Sequence, residues 1–510
     1  MDTKALRQKI LDLAVRGKLV PQDPNDEPAS VLLERIREQK QQMVKDGKLK
    51  KKDIKNDSVI FVGEDNLHYE KFADGTVKCI EDEIPFELPD GWAWTRFSAI
   101  TINRDSERKP ISSAQRTDVA KIYDYYGASG KIDKIDRYIF NERLLLIGED
   151  GANLVTRSKP IAFFAEGQYW VNNHAHCIDS TDKFILEYLC FYINAISLEK
   201  YVTGSAQPKM TQDNMNSILI PLPPYNEQKR MSQHLNEMMS IIDNIENEKE
   251  DALELVSKAK STILDLAIRG KLVPQNPDDE PASVLLERIR TEKEELIKQG
   301  KIKRDKKKSI IFKGEDSSYY LKSGDLVESL GEWAFEALPD SWSVCCLGEL
   351  CDYGNCINVD TANIDDSAWM LDLEDIEKDT GIVLQKIRKA ERNAASTKHL
   401  FHKDQVLYSK LRPYLNKVVL ADEDGYCTSE ILPLEFERNI LPQYARYYLM
   451  SPAFLGYANK CSYGVKMPRL GTADGKKAII SVPPLNEQKR IVAAIEQALA
   501  QLDSIAENLS

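Results

Sequence analysis

Apolar residues recur with heptad spacing through the middle of the chain, from Asn226 to Arg290. Stepping alternately by four and three residues, ten of eleven positions between Met231 and Leu266 are apolar, and Lys249 is the exception. This pattern predicts a long amphipathic helix with a coiled-coil seam, ending in a Gly-Lys-Leu-Val-Pro turn. At about 1.5 Å per residue its straight part is roughly 66 Å long, which suits a spacer. A plain core helix is the alternative.

An internal repeat frames this helix. Residues 10–37 recur as residues 263–290, with 25 of 28 positions identical. A second block, residues 223–230, recurs as residues 483–490 with seven of eight identical. The chain is therefore an internal duplication.

The inserts between these blocks, residues 94–221 and 344–482, resemble each other little. We call the repeated blocks on either side of the inserts the frames. Because the frames are similar and the inserts are divergent, we infer that the frames bind the same partner and the inserts bind different ones. Apolar runs and alternations predict mixed α/β inserts, with strands at 134–140 and 160–165 and a helix at 184–198.

The heptad seam continues at both ends of the chain, up to Leu509 and again from Thr3 to Leu13. The two end segments together match the central helix, so we expect adjacent termini and a central helix antiparallel to this split helix. The predicted fold class is α+β: two α/β insert domains separated by a long antiparallel two-helix coiled coil, with pseudo-twofold symmetry. The seam residues expected at this interface are Leu6, Ile10, Leu235, Ile242, Ile245, Val256, Ile263, Ile495 and Leu502.

The composition is that of a globular protein, with 42% hydrophobic residues over 510 positions. No run of about 18 apolar residues occurs and the chain starts with a charged helical pattern, so neither a membrane span nor a signal peptide is predicted. Nine cysteines without a Cys-x-x-Cys spacing favour reduced thiols. We therefore expect a cytoplasmic protein.

The net charge of −12 argues at first against a nucleic-acid partner, because phosphate binding requires lysine and arginine. Local charge matters more, and two basic segments stand out at residues 45–55 and 298–308. They occupy equivalent places in the repeat. Solvated charged turns are the alternative interpretation.

The chain has no recognisable catalytic motif. It has no phosphate-binding loop, no glycine-rich nucleotide fingerprint with an acidic partner, and no Asn/Asp-Pro-Pro-aromatic motif of the amino-methyltransferases. The cysteines at 345, 346, 351 and 356 and the pair His174 and His176 lack the spacing or the third ligand of a metal site. We interpret residues 172–176 as a hydrogen-bonded turn and expect neither catalytic nor metal-binding residues.

The paired blocks Pro-Pro-x-Asn-Glu-Gln-Lys-Arg and Ile-Leu-Asp-Leu-Ala-x-Arg-Gly-Lys-Leu-Val-Pro resemble the specificity (S) subunit of type I restriction-modification systems, over essentially the whole chain. The resemblance implies that each insert is a target-recognition domain for one half of a split, asymmetric DNA sequence. It also implies a non-catalytic chain whose coiled coil sets the distance between the two readers.

The implied partners are double-stranded DNA, two methyltransferase (M) subunits and, in restriction complexes, two restriction (R) subunits. S-adenosylmethionine, ATP and Mg²⁺ are expected in those partner subunits and not in this chain. The implied segments are a conserved N-terminal region, the first recognition domain, the central coiled coil, the second recognition domain and the C-terminal helix, at residues 1–60, 61–222, 223–310, 311–482 and 483–510.

Base readout requires polar and basic side chains on loops, while phosphate contacts fix the register. Aligning the inserts backwards from the Pro-Pro blocks makes Lys209 and Arg469 equivalent. Residues 125–131 look like the family's glycine-rich recognition loop, and residues 408–414 look similarly placed. The DNA-binding residues expected on this basis are Tyr125, Tyr126, Ser129, Lys131, Gln207, Lys209, Lys410, Arg412, Tyr414, Lys466 and Arg469.

Two other functions compete with this one. A stand-alone DNA-binding or coiled-coil scaffold protein, such as a regulator, needs no methyltransferase partner. A self-contained restriction enzyme is disfavoured, because no segment supplies a methyl-donor or nuclease motif.

Overall fold

The computed structural model describes residues 2–117, 119–204, 207–300, 309–314, 318–323, 326–330, 338–392 and 396–509. The chain divides into two compact units, unit 1 (residues 1–248) and unit 2 (residues 249–510). Their boundary falls inside the long helix, next to Lys249, the one charged seam position. Among the described residues, no helix has the length and hydrophobicity needed to cross a membrane.

In its described residues, unit 1 contains seven α-helices and the first part of an eighth. The helices are α1 (Thr3–Val15), α2 (Ala29–Lys45), α3 (Phe97–Ile100), α4 (Ser113–Thr117), α5 (Asn153–Thr156), α6 (Lys183–Ala195), α7 (Gln212–Asn216) and α8 (Tyr225–Ile268). The strands are β1 (Val59–Val62), β2 (His68–Lys71), β3 (Val77–Cys79), β4 (Ala93–Arg96), β5 (Ile102–Asn103), β6 (Tyr123–Gly127), β7 (Gly130–Ile135), β8 (Phe140–Asn141), β9 (Leu144–Gly148), β10 (Ala162–Ala165), β11 (Gln168–Val171), β12 (Ala175–Asp179) and β13 (Leu219–Leu222).

These strands form four small sheets, in the orders β1-β2-β3, β10-β9-β12-β5, β7-β6-β11-β8 and β13-β4. The pairing is antiparallel except between β6 and β11, which are parallel. The main core joins the apolar faces of α1, α2, α6 and the start of α8 to the sheet around β9. Strand β9 is buried along its whole length, which explains its continuous apolar sequence.

Unit 2 contains the rest of α8 and six further helices, together with fifteen strands in its described residues. The helices are α9 (Ala282–Lys298), α10 (Leu347–Leu350), α11 (Pro442–Met450), α12 (Pro452–Lys460), α13 (Thr472–Lys477) and α14 (Leu485–Leu509). The strands are β14 (Ser309–Lys313), β15 (Tyr319–Ser323), β16 (Leu326–Ser329), β17 (Ser343–Cys346), β18 (Ile357–Val359), β19 (Trp369–Leu371), β20 (Ile387–Arg388), β21 (Lys398–Phe401), β22 (Val406–Ser409), β23 (Val418–Leu420), β24 (Gly425–Cys427), β25 (Ile431–Leu434), β26 (Ser462–Tyr463), β27 (Arg469–Leu470) and β28 (Ile479–Val482).

The sheets of unit 2 follow the same plan. Their orders are β14-β15-β16, β17-β28, β18-β21-β24-β19-β20, β23-β22-β25 and β26-β27. The pair β19 and β24 is parallel, as β6 and β11 are in unit 1. The largest core packs α11, α14 and the end of α8 against β22 and β25.

Within each unit the long helix packs against an antiparallel partner. In unit 1, Arg7 of α1 donates to Glu246 (2.8 Å) and Gln22, after α1, donates to Glu227 (2.6 Å). The N-terminal segment therefore runs antiparallel to α8, because residue numbers increase along the first as they decrease along the second. In unit 2, Lys260 pairs with Asp503 of α14, while Gln275 donates to Glu487 (2.6 Å). The predicted seam residues Ile10, Leu235, Ile242, Val256 and Ile495 are buried, Ile245, Ile263 and Leu502 are half-buried, and Leu6, in the first turn of α1, is exposed.

A charged pair is duplicated beside these contacts. Arg230 donates to Asp26 in unit 1 (2.6 Å), and Arg490 donates to Asp279 in unit 2 (2.7 Å). Together with the Gln22–Glu227 and Gln275–Glu487 hydrogen bonds, we call these contacts the two latches. Each latch joins the two sequence blocks that are nearly identical between the halves.

The turn after α1 and the turn after α8 each require a glycine. Gly17 and Gly270 have φ values of +64° and +67°. A Cβ atom on Gly17 would lie 2.5 Å from Pro89, and one on Gly270 would lie 2.5 Å from Pro339. Glycine is therefore required both for the left-handed conformation and for the close approach of the proline.

The fold confirms the α+β prediction, the long helix and its end at the Gly-Lys-Leu-Val-Pro turn. The strand predicted at 134–140 is wrong: β7 ends at Ile135 and β8 begins at Phe140, because a turn intervenes. The lysines of the first basic segment are exposed. Most of the second basic segment, residues 301–308, lies outside the described residues, and the five-segment division of the chain stays a prediction.

Candidate nucleic-acid interface

Two loops and a hairpin turn meet at the end of β9 in unit 1. The backbone of Lys209 bridges to Asp150, which follows β9. The turn between β6 and β7 reaches the same place, because a Cβ on Gly148 would lie 2.7 Å from the carbonyl oxygen of Ala128. The structure thus brings the turn that contains Ser129 close to the loop that carries Lys209.

The predicted cations at this site are held by carboxylates. The Nζ of Lys209 lies 3.1 Å from Glu149, and the Nζ of Lys131 lies 2.7 Å from Asp124. Both lysine side chains stay about half exposed. Gln207, on the same loop as Lys209, is exposed.

The two tyrosines predicted to bind DNA lie deeper. Tyr125 is only 1% exposed, and its hydroxyl donates to the carbonyl oxygen of Ile111 (3.2 Å). Tyr126 is half-buried and packs against Phe163 and Tyr169. Burial raises the pKa of Tyr126. Because the Tyr125 ring is buried and its hydroxyl is already hydrogen-bonded to the backbone, we interpret it as a packing residue and leave it out of the candidate interface.

Unit 2 has the same loop pair at the end of β22. The backbone of Leu411 bridges to Arg469, and the amide of Arg412 donates to the carbonyl oxygen of Pro468 (2.7 Å). Arg412 and Asn416 have positive φ values of 50° and 48°, which fold residues 412–416 into a tight turn.

This geometry changes one sequence-based correspondence. Residues 408–414 comprise the end of β22 and the loop after it. The counterpart of β22 in unit 1 is β9, so these residues correspond to residues 147–153 and not to the hairpin at 125–131. The expectation that 125–131 and 408–414 are similarly placed is therefore wrong. The equivalence of Lys209 and Arg469 agrees with the structure. Lys209 bridges to Asp150, two residues after the end of β9, and Arg469 bridges to Leu411, two residues after the end of β22.

The charges differ between the two loop pairs. Arg469 donates to both carboxylate oxygens of Glu430, at 2.9 to 3.1 Å. Lys410, Arg412 and Lys466, by contrast, have no ion-pair partner in the part of the chain that the structure describes. Tyr414 is half exposed beside them. Unit 2 therefore presents uncompensated positive charge where unit 1 presents neutralised pairs.

A buried ionic network supports the Lys209 loop from behind. Arg108 contacts Asp105 (3.2 Å) and Glu149 (2.7 Å). His176 shares a hydrogen bond with Asp105 (2.6 Å) and lies 3.0 Å from the carbonyl oxygen of Met210, next to Lys209. The network therefore links the candidate interface to the core of unit 1.

The same three side chains, Asp105, Glu149 and His176, have the mutual distances of a metal site, with their potential ligand atoms within 4.8 Å of one another. Arg108 already supplies positive charge to both carboxylates, and His176 uses its ring nitrogens on Asp105 and the backbone. The donor set is thus satisfied by the protein, and its chemistry is that of a structural ion cluster.

The pKa values of the carboxylates reflect this network. Burial raises the pKa of Glu149, but Arg108, His176 and Lys209 outweigh burial and hold the pKa below its usual value. Burial acts in the same way on Asp105, where the bond to His176 prevails and lowers the pKa. Both groups are therefore ionised at neutral pH.

Sequence reasoning missed Arg108, Glu149 and Glu430, which orient the loop cations. A dipeptide such as Glu149-Asp150 carries no signal by itself, because its partner Lys209 lies far along the chain. The interpretation of residues 172–176 as a hydrogen-bonded turn holds for residues 172–174, where the amide of His174 donates to the side chain of Asn172 (2.8 Å). Residues 175 and 176 instead begin β12.

Comparisons with known proteins find specificity subunits of type I restriction enzymes among the relatives. The chain is 32% identical over 425 residues to the EcoAI specificity subunit of Escherichia coli. This alignment covers 69% of this chain and 63% of the relative. It is 30% identical over 424 residues to the EcoEI specificity subunit of Escherichia coli, covering 68% and 61%. The matches thus span less than two thirds of either relative.

Among solved structures, the HsdS subunit from Thermoanaerobacter tengcongensis matches with a TM-score of 0.42 and 16% identity, over 84% of this chain and 93% of that one. The family model described as the type I restriction modification DNA specificity domain matches residues 100–255 and 339–509. The first match lies in unit 1 apart from residues 249–255, the second lies in unit 2, and together they cover more than half of the chain. The chain therefore belongs to the family of type I restriction-modification DNA specificity proteins.

Proposed function

We propose that this chain is the DNA-recognition subunit of a type I restriction-modification complex. Each unit reads one half of a split, asymmetric target, and the chain itself catalyses no reaction. The observation that carries the proposal is the pair of equivalent loops, which bear Lys209 in one unit and Arg469 in the other, within the two segments that match the specificity domain. Because the loops differ in charge and sequence, the two half-sites differ.

In this function the uncharged polar side chains of the candidate loops contact base edges, and the lysine and arginine side chains contact phosphates. Ser129, Lys131, Gln207 and Lys209 serve the first half-site, with Tyr126 behind them. Lys410, Arg412, Tyr414, Lys466 and Arg469 serve the second. The free cations of unit 2 predict that its half-site depends more on phosphate contacts than the half-site of unit 1 does.

The chain also serves as the scaffold of the complex. Two methyltransferase subunits bind it, and restriction subunits join where the complex cleaves DNA. S-adenosylmethionine, ATP and Mg²⁺ act in those partners, and the complex works in the cytoplasm on genomic DNA. The near-identity of the frames supports two copies of one partner, because each frame offers the same residues.

Mapping methylated adenines in the host genome, with and without this chain, tests the proposal. We expect a bipartite motif that disappears on deletion and returns with the wild-type gene. An unchanged methylation map would contradict the proposal. A purified chain that methylates or cuts DNA alone would also contradict it, and a chain that binds DNA without a methyltransferase subunit would favour the stand-alone regulator.

A further inference from the structure

A small three-stranded sheet in unit 1 exposes an ordered row of side chains. Strands β1, β2 and β3 place Val59 opposite Lys71 and Lys71 opposite Val77. The next outward row is Phe61, Tyr69 and Cys79. Alternate residues of a strand point to opposite sides, so these six side chains share one face, which we call the outer face.

Unit 2 repeats this arrangement in β14, β15 and β16. One row is Ile310, Lys322 and Val327, and the other is Phe312, Tyr320 and Ser329. The aromatic pairs superimpose in geometry as well. Phe61 stacks on Tyr69 at 5.9 Å and 26°, and Phe312 stacks on Tyr320 at 5.8 Å and 25°.

The two outer faces are thus alike residue by residue. Phenylalanine, tyrosine, lysine and one valine are identical, and the two remaining positions exchange valine for isoleucine and cysteine for serine. Phe61 and Phe312 are each 41% exposed, and Val77 and Val327 are about half exposed. Large apolar side chains therefore stay in contact with solvent in both units.

The opposite faces of the same sheets differ at four of their five equivalent positions, and only Ile60 and Ile311 are identical there. In unit 1 the inner residue Glu70 binds Arg96 (2.7 Å), which holds the sheet to the body by an ion pair. In unit 2 the equivalent residue is Leu321, and Ile311 packs into an apolar cluster with Val344. The contact that holds the sheet to the rest of its unit is therefore an ion pair in unit 1 and apolar in unit 2, whereas the outer faces of the two sheets are alike.

This is the reverse of what folding alone produces. Residues that hold a sheet in place are constrained by packing, whereas exposed residues tolerate substitution within about 0.5 kcal/mol. A face that is exposed and yet alike in both halves is constrained by something outside the chain. We propose that the two outer faces are docking sites for two copies of one protein subunit.

The chemistry of the face describes its partner. Lys71 and Lys322 lie between apolar neighbours and have no carboxylate partner in the described part of the chain. The partner therefore offers an apolar patch, to cover the phenylalanine and valine, with a carboxylate for the lysine. One cation per face is too few for a nucleic-acid surface, which neutralises several phosphates at once.

The size of the face sets a further requirement. Three strands about 4.8 Å apart and about four residues long cover roughly 10 by 13 Å. A stable interface buries about 800 Å² on each partner. The outer face is thus the apolar centre of a larger contact with a globular subunit. Two like faces on one chain also disfavour self-association, which would propagate from chain to chain.

This inference rests on the proposed function, in which two methyltransferase subunits bind the chain, and it assigns the surface they share. The test is native mass spectrometry of the chain co-expressed with its methyltransferase subunit. The variants are Phe61→Ser, Phe312→Ser and the double variant. The matched controls are Val62→Ser and Lys313→Ser, on the opposite side of the same strands.

We expect the wild type and the controls to bind two copies. Each single variant loses one copy, through a weakening of about 30-fold or more at that site, the loss typical of a central aromatic side chain. The double variant binds none. Two copies on the double variant with unchanged affinity would overturn the inference and leave the proposed function intact, whereas no copy on the wild type would overturn both.

Thiol labelling gives an independent readout. Cys79 is the exposed cysteine of the described residues and lies on the outer face. Bound methyltransferase subunit should slow maleimide labelling of Cys79 at least tenfold in the wild type but not in Phe61→Ser. Equal labelling with and without the subunit, loss of DNA affinity in Phe61→Ser, or loss of a chain dimer in that variant would each contradict the assignment.

Discussion

At the scale of single residues, the ion pairing of each cation decides the role that we propose for it at the candidate interface. Lys209 and Arg469 are held by Glu149 and Glu430, which fixes their direction but cancels their charge. Arg412 and Lys466 are exposed and unpaired among the described residues. We therefore propose that Lys209 and Arg469 make oriented contacts with DNA, whereas Arg412 and Lys466 attract the DNA phosphates at longer range.

Neutralising Arg412 or Lys466 should weaken DNA binding and reduce its salt dependence. Each of Arg412→Gln and Lys466→Gln removes one cation, so the slope of log K against log salt concentration should fall by about 1. Fluorescence anisotropy over a salt series with the complete complex measures this slope. Lys403→Gln, before the opposite end of β22, is the control and should leave the slope unchanged.

The Arg108 network makes stability depend on pH. Because the folded-state pKa values of Asp105 and Glu149 are lowered, their stabilisation is present above the unfolded-state pKa of about 4 and is lost as the pH falls through and below that value. Arg108→Met removes one cation from two partly buried carboxylates and leaves them only His176 and Lys209 as cationic partners. We expect it to destabilise unit 1 by about 3 kcal/mol at pH 7.

In that variant the pKa of Glu149 should rise, because Arg108 no longer opposes the effect of burial. The deficit relative to wild type should therefore shrink as the pH falls from 7 to 5. Thermal melts across this range provide the measurement. Arg35→Met breaks only an exposed pair with Glu27 and should cost less than about 1 kcal/mol at every pH; a deficit for Arg108→Met that stays constant with pH would refute the account.

Sequence reasoning paired Lys209 with Arg469 because a short alignment from the Pro-Pro blocks reaches both residues, and their backbone bridges are equivalent. It placed Tyr125 at the interface because nothing in residues 125–131 distinguishes an inward tyrosine from an outward one. That distinction depends on the register of β6 against β11 and β7, which long-range pairing fixes. The carboxylates that hold the cations were hidden for the same reason.

At the scale of elements, heptad spacing was enough to predict α8, since a 44-residue helix with one apolar stripe has few alternatives. The short strands were harder. Residues 134–140 alternate well enough for a single strand, but the chain turns after Ile135. The parallel pairs β6–β11 and β19–β24 join distant segments, and no local pattern predicts them.

The glycine turns give an element-scale prediction. Gly17→Ala should cost about 1–2 kcal/mol for the left-handed conformation and a further 1–3 kcal/mol for the approach to Pro89. Gly47 is the matched control, because its φ is +73° and an added Cβ atom there would have no other atom within 4 Å. Gly47→Ala should therefore cost only the conformational part. Equal melting temperatures for the two variants would contradict this explanation.

At the scale of the whole molecule, two units repeat one plan with different loops at the candidate interface, which we propose to read different half-sites. Exchange of residues 94–221 for the corresponding insert of another family member should alter one half of the methylated motif and leave the other half unchanged. Sequencing the methylated sites of a host that carries the chimera measures both halves. Changes in both halves would show that the units do not read independently.

The latches have a consequence for how such proteins diversify. Arg230–Asp26 and Arg490–Asp279 join only the near-identical blocks and contact neither reading loop. Because the latches lie outside the inserts, an insert acquired by recombination joins a chain in which the latches are already present, whatever DNA sequence the insert recognises. New specificities can thus arise in a single genetic exchange between lineages, without the succession of individually tolerated substitutions that remodelling a recognition loop in place would require.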